Sequence, residues 1–164
     1  MPFILRKIVQ RRWYNDEPWL AEGAFKSSAL MDLRVDDNKL SVWHIEDDKS
    51  NLMRVITALA ATGDKIQNFD YALLDKKALS ELNVRFEYTK GGTPDEQVNN
   101  RWHLDLIELS ALKLFNLAQA IFISAERDRI PEKQVRQLIV NGVVSGQIDK
   151  EKLVEKMRKV VEKM

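Results

Sequence analysis

Apolar and polar positions alternate with different periods along this chain. Residues 39–46, KLSVWHIE, are apolar on both faces of an extended segment, with Leu40, Val42 and His44 on one side and Trp43 and Ile45 on the other. That pattern predicts a strand in the middle of a covered sheet. Leu52, Val55, Ile56 and Leu59 then recur at helical spacing and predict a helix over 51–62, ended by Gly63. FDYALL at 69–74 predicts a short strand and DKKALSEL at 75–82 a short helix. In NVRFEYT at 83–89, Val84, Phe86 and Tyr88 face one way and Arg85, Glu87 and Thr89 the other, the alternation of a half-exposed edge strand. The order strand, helix, strand, helix, strand favours a right-handed parallel unit.

The stretch 93–126, TPDEQVNNRWHLDLIELSALKLFNLAQAIFISAE, is the longest without an evident breaker. Thr93-Pro94-Asp95-Glu96 has the residues of a helix start: a hydroxyl cap, a proline that needs no donor and a glutamate able to reach back. The expectation is one long helix, or two jointed near Asn99-Asn100, running until Pro131 interrupts. On a helical wheel, Ile107, Ala111, Leu114, Ala118, Ile121 and Ala125 form the buried face, with Asn99, His103 and Ser110 on its margin. The pair His103 and Asp105 falls about 200° apart around such a helix, which separates it as a catalytic couple.

Outside these segments the pattern is weaker. Residues 3–12, FILRKIVQRR, read as a first strand or as an arm lying on the body. Residues 13–26, WYNDEPWLAEGAFK, read as an ordered loop pinned by aromatics, and 27–34 as a short helix. Asp36, Asp37 and Asn38 make a turn without the glycine and terminal glutamate of a calcium loop. Pro131 opens a further helix closed by Asn141-Gly142. A last helix, capped by Asp149, carries Leu153, Val154, Met157, Val160 and Val161 as a narrow apolar stripe that packs on the body or on another chain.

With 164 residues, 45% hydrophobic and 31% charged, the chain is long enough to bury an ordinary core. No cysteine is present, which removes disulfides, thiolate metal sites and cysteine nucleophiles. No run has the length of a membrane span, and the N-terminal stretch lacks the form of a secretory signal, so the expected location is the cytoplasm. The net charge of +1 hides segregation. Residues 1–12 hold four bases and no acid, and residues 150–164 hold six bases against three acids, leaving an acidic middle. Nucleic acid is a weak partner reading for such ends, because neither is a dense basic run.

Catalytic motifs are missing. The phosphate-loop, dinucleotide, G-x-S-x-G and HExxH patterns do not occur. Gly91-Gly92 precedes a helix start, but Asp95 and Glu96 already complement that helix dipole and would repel an anion. The best enzyme reading places Asp47, Asp48 and Asp75 at the carboxyl ends of parallel strands, with His103 nearby, as a magnesium-dependent hydrolase or nuclease. The competing reading, preferred here, needs no cofactor and no metal. It is a protein-binding or regulatory module, of the immunity- or antitoxin-like kind encoded beside its partner. It would bind another protein, or itself, through the aromatic loop, with Trp13, Tyr14 and Trp19 as anchors, and through the C-terminal helix. If a small pocket exists, Asn99, His103 and Ser110 are its expected lining. The expected architecture is α/β, in two parts. Residues 1–128 form a small, mainly parallel sheet of three to four strands covered by the long helix, and residues 129–164 form a C-terminal helical pair.

Overall fold

A computed structural model describes residues 1–164 as a six-stranded sheet with helices on both faces. In chain order the elements are β1 (Phe3–Ile8), β2 (Leu40–Ile45), α1 (Leu52–Ala60), β3 (Phe69–Asp75), α2 (Lys77–Glu81), β4 (Arg85–Tyr88), α3 (Glu96–Arg101), β5 (His103–Ile107), α4 (Ala111–Ser124), β6 (Glu126–Ile130), α5 (Glu132–Val144) and α6 (Glu155–Glu162), with 3-10 turns at Gln10–Trp13, Ser27–Asp32 and Lys150–Lys152. No helix is long and apolar enough to cross a membrane.

The expected small parallel sheet is not what forms. The strand order is β4-β5-β2-β1-β3-β6, and every neighbouring pair is antiparallel. The physical reason is interleaving. β1 pairs antiparallel with both β2 and β3, and β5 pairs antiparallel with both β2 and β4, so β2, β3 and β4 do share one direction. The helical crossovers between them carry the chain as expected. However, β1 and β5 fill the gaps and β6 adds a strand outside β3, so no two of the three same-direction strands touch.

The long helix over 93–126 does not exist either. It is three elements, α3, β5 and α4, followed at once by β6. Around His103 the dominant period is two. Leu104 and Leu106 are buried on one face, while His103 and Asp105 face the other. Glu108 then adopts a left-handed conformation, φ 55°, and turns the chain out of the strand. Ser110 caps α4 by accepting from the Lys113 amide at 3.2 Å. Thr93 is not a helix cap. Asp95 is, accepting from Gln97 and Val98 at 3.0 and 3.2 Å.

Two cores flank the sheet. Leu5, Trp43, Ile45, Phe69 and Leu73 pack under α1, α5 and α6, joined by Val135, Ile139, Leu153 and Met157. The helices after β6 therefore pack on one face of the sheet, and the boundary expected at 128/129 falls inside β6. On the opposite face Ile4, Val42, Leu74, Leu104 and Leu106 meet Leu117, Ala118 and Ile121 of α4, together with Trp13, Ala29 and Leu33 from the N-terminal loop. Trp13 is wholly buried. Its indole donates to Asp32 at 2.8 Å, and Asp32 also accepts from the Val9 amide and from Arg12, at 2.8 and 2.6 Å. The C-terminal bases mostly pair with acids, as in Lys152 to Glu96 and Lys150 to Glu162, both at 2.9 Å.

Candidate functional site

The common direction of β2, β3 and β4 gathers their carboxyl ends at one end of the sheet. A cleft of about 850 Å³ opens there and is lined by His44, Glu46, Asp47, Asp48, Arg54 and Trp102, among others. β2 delivers His44 and the acidic turn after it. Asn51 holds that turn: its amide oxygen accepts from the Glu46 N–H at 2.9 Å and its NH2 donates to the His44 carbonyl at 3.0 Å. Asn51 thus ties off β2 and gives α1 no side-chain cap.

Glu46 accepts from the Trp102 indole at 3.2 Å and lies 3.4 Å from His44 Nε2. On the other side of the imidazole, Lys76 Nζ lies 3.4 Å from Nδ1 and donates to the Tyr88 hydroxyl at 3.2 Å. An ammonium group has only donors, so Nδ1 accepts and Nε2–H faces Glu46. The result is an ordered polar row from Glu46 through His44 and Lys76 to Tyr88. Asp47 lies 3.1 Å from the amino group of Met1. Asp48 accepts from Ser50, whose hydrogen bonds hold its carboxyl below the usual carboxylate range.

Of the residues expected to form a magnesium site, only Asp47 and Asp48 line this cleft. Asp75 accepts from the Lys77 amide at 2.8 Å, and His103 lies within the β5 ladder beside Trp43. No group of three or more histidines, aspartates and glutamates is placed to hold a metal ion.

His103 belongs to its own network. Ser41 and Thr89 donate to the two carboxylate oxygens of Asp105, at 3.1 and 3.0 Å. With its hydrogen directed to Asp105, Thr89 Oγ1 accepts from His103 Nδ1 at 2.8 Å. Burial is the largest influence on His103 and lowers its pKa, against the opposing pull of Asp105 and of the Thr89 carbonyl. A neutral, Nδ1-protonated imidazole is the form this network fits.

Asn99, His103 and Ser110, expected to share a helix margin, are on three different elements. Asn99 clamps the loop before α3, accepting from the amide and hydroxyl of Thr93 at 2.7 Å each and donating to the Thr93 carbonyl at 2.8 Å. Of the aromatic anchors, Trp13 is core, while Tyr14 and Trp19 are exposed.

The sequence reading missed Arg54. It grips Asp95 with two hydrogen bonds, at 2.7 and 3.1 Å, and stands between the main cleft and a second one of about 640 Å³ beside the 146–152 turn. It also missed the outward face of α4. A single charge in ALKLFNLAQAIFIS was the available signal, and the extended wheel spent it on an interior role.

No protein-family model, curated protein or solved structure matches this chain.

Proposed function

We propose that this chain is a protein-binding module whose contact surface is the outward face of α4 together with the aromatic loop that packs beside it. One observation carries the reading. α4 has 14 residues and one charge, Lys113, yet its solvent side presents Leu112, Phe115 and Ile123 at 68, 50 and 67% exposure. A surface helix ordinarily puts charged residues there; here Asn116 and Gln119 are the polar residues between Leu112 and Ile123, and large apolar side chains exposed on one face mark a contact surface.

The loop and the helix form one surface. Phe25 packs against Phe115 and Phe122 with ring centroids 5.7 and 5.9 Å apart, and Gln119 donates to the Gly23 carbonyl at 3.4 Å. Between them is a hollow of about 220 Å³ lined by Phe25, Leu30 and Phe115, large enough for an apolar side chain of a partner. With no charge on the stripe, recognition rests on shape and apolar burial, so the fitting partner offers an uncharged, apolar helix face or loop. The lack of catalytic motifs and the separation of Asp47 and Asp48 from Asp75 and His103 support binding over the hydrolase reading.

The test is co-expression with the product of the adjacent gene, the immunity- or antitoxin-like arrangement. The expected result is co-elution that is lost in L112D/F115D while the variant keeps its melting temperature. A complex that survives those substitutions, failure of the neighbour product to bind, or self-association through α4 would each overturn the reading.

A further inference from the structure

We infer that two copies of this chain join edge to edge through β4, making one continuous sheet. The inference rests on backbone accounting at β4, independently of the α4 surface. β4 pairs only with β5. The Thr89 amide donates to the His103 carbonyl, so alternation along the strand directs the main chain of residues 85, 87 and 89 toward β5 and that of Phe86 and Tyr88 away from it. No side chain or loop of the protein answers the N–H and C=O groups of Phe86 and Tyr88. Such a row is a template for another strand. The opposite edge is guarded differently: the first four of the five residues of β6, Glu126-Arg127-Asp128-Arg129, are all charged.

The occupant follows from charge. A two-fold axis through β4 pairs residues of the same face, so the axis passes through either Phe86 or Glu87 if the free main chain of Phe86 is to be used within the strand. An axis at Glu87 sets Glu87 directly against Glu87 of the second copy, with side chains at their closest approach. An axis at Phe86 instead pairs Phe86 with itself through reciprocal main-chain hydrogen bonds. It places Arg85 opposite Glu87 of the second copy, twice by symmetry, and limits the paired stretch to residues 85–87 of each copy, because the outward N–H of Val84 already donates to the Leu79 carbonyl at 2.8 Å. The segment Arg85-Phe86-Glu87 is therefore complementary to its own reverse, which a strand of unrelated sequence need not be.

Little must be given up. Arg85 now meets Glu108 at 2.7 Å and Glu87 meets Lys39 at 3.6 Å, all four side chains being about half exposed or more, and exposed pairs of this kind are worth little. The aromatic side is already ordered: Lys76 Nζ sits 4.4 Å from the Phe86 ring centroid and 5.2 Å from that of Tyr88.

The test is the mass of the full chain by sedimentation over the micromolar range. The wild type is expected to dimerise. E87R alone and R85E alone each set like charges opposite one another twice and are expected to weaken the dimer roughly tenfold. The double reversal R85E/E87R restores it. So does mixing the two single variants, which pair only with each other. The Phe86→Pro variant removes the outward N–H without touching the β5 ladder, and is expected to be a folded monomer. A monomeric wild type, a dimer indifferent to these charges, a dimer lost only in L112D/F115D, or a β4 edge occupied by a different protein would overturn the inference.

Discussion

The imidazole of His103 and the carboxylate of Asp105 face the same side of β5, with Nε2 and Oδ1 3.9 Å apart. The Thr89 hydroxyl joins them by a hydrogen bond to each. Two residues apart means opposite sides of a helix but one side of a strand. The pair that a helical wheel separates is thus brought together by the secondary structure that forms. Its partners, Ser41 from β2 and Thr89 after β4, come from the two strands that flank β5.

This network makes stability depend on pH. The folded pKa of His103 lies below its unfolded value of about 6.5, chiefly through burial. The protonated form therefore favours the unfolded chain, and the contribution of the neutral ring is complete above about pH 6.5 and lost as pH falls through the window below it. His103→Asn is expected to be less stable than wild type near pH 7.5, with the gap in melting temperature narrowing toward about pH 5.5. A gap that stays constant across that range would contradict the assignment.

How much of this was legible beforehand depends on punctuation. β2, α1, β3, α2 and the edge strand β4 are each announced by period or by breakers, and each lies close to where the pattern places it. β5 and β6 are not announced. The turn after β5 uses Glu108 at positive φ where glycine would have signalled it, and α4 passes into β6 through Ala125 with no glycine or proline. β6 is charged at four of its five positions, with Ile130 its single apolar residue, so it has no apolar period to read. Without those two strands, and with β1 undecided, same-direction strands looked adjacent. The sheet end where the acidic turn gathers was nonetheless readable, because it depends on direction alone.

Arg54 and Asp95 offer a second check. Asp95 is almost fully buried, and both its oxygens are held by the guanidinium. Arg54→Ala leaves an uncompensated carboxylate and is expected to cost about 2–3 kcal/mol in urea unfolding, somewhat less than a fully buried pair because Arg54 itself is partly exposed. Arg54→Lys should recover only part, since a single ammonium cannot reproduce the fork. Adding Asp95→Asn to R54A should regain stability, because asparagine still caps α3 but carries no charge. A double variant worse than R54A would show that the charge is not the cost.

Asp32 plays a comparable part on the other face. Asp32→Ala strands the Val9 amide, the Trp13 indole and Arg12 at once, and is expected to cost about 3 kcal/mol or more. The near-ultraviolet circular dichroism of Trp13 should weaken with it. A loss under about 1 kcal/mol would mean that the three donors find other partners.

The approach of the 90–93 loop to β2 is tested by its two glycines. A Cβ on Gly91 would lie 2.5 Å from Cη2 of Trp43 and 3.0 Å from the Asn99 side-chain oxygen, whereas one on Gly92 would meet nothing within 4 Å. Trp43 has little room to retreat, because His103 packs edge-on against it with ring centroids 4.7 Å apart. Asn99 is equally fixed by its bonds to Thr93. Gly91→Ala is therefore expected to cost about 1–3 kcal/mol, the range for forcing an extra carbon into a filled site. Gly92→Ala should stay within about 0.5 kcal/mol of wild type. The strain should also reach the network of β5, so the His103 ring resonances are expected to shift in G91A and to stay in place in G92A. Equal stabilities for the two variants would mean that the loop stands off from Trp43 in solution, and that Asn99 is not holding it down.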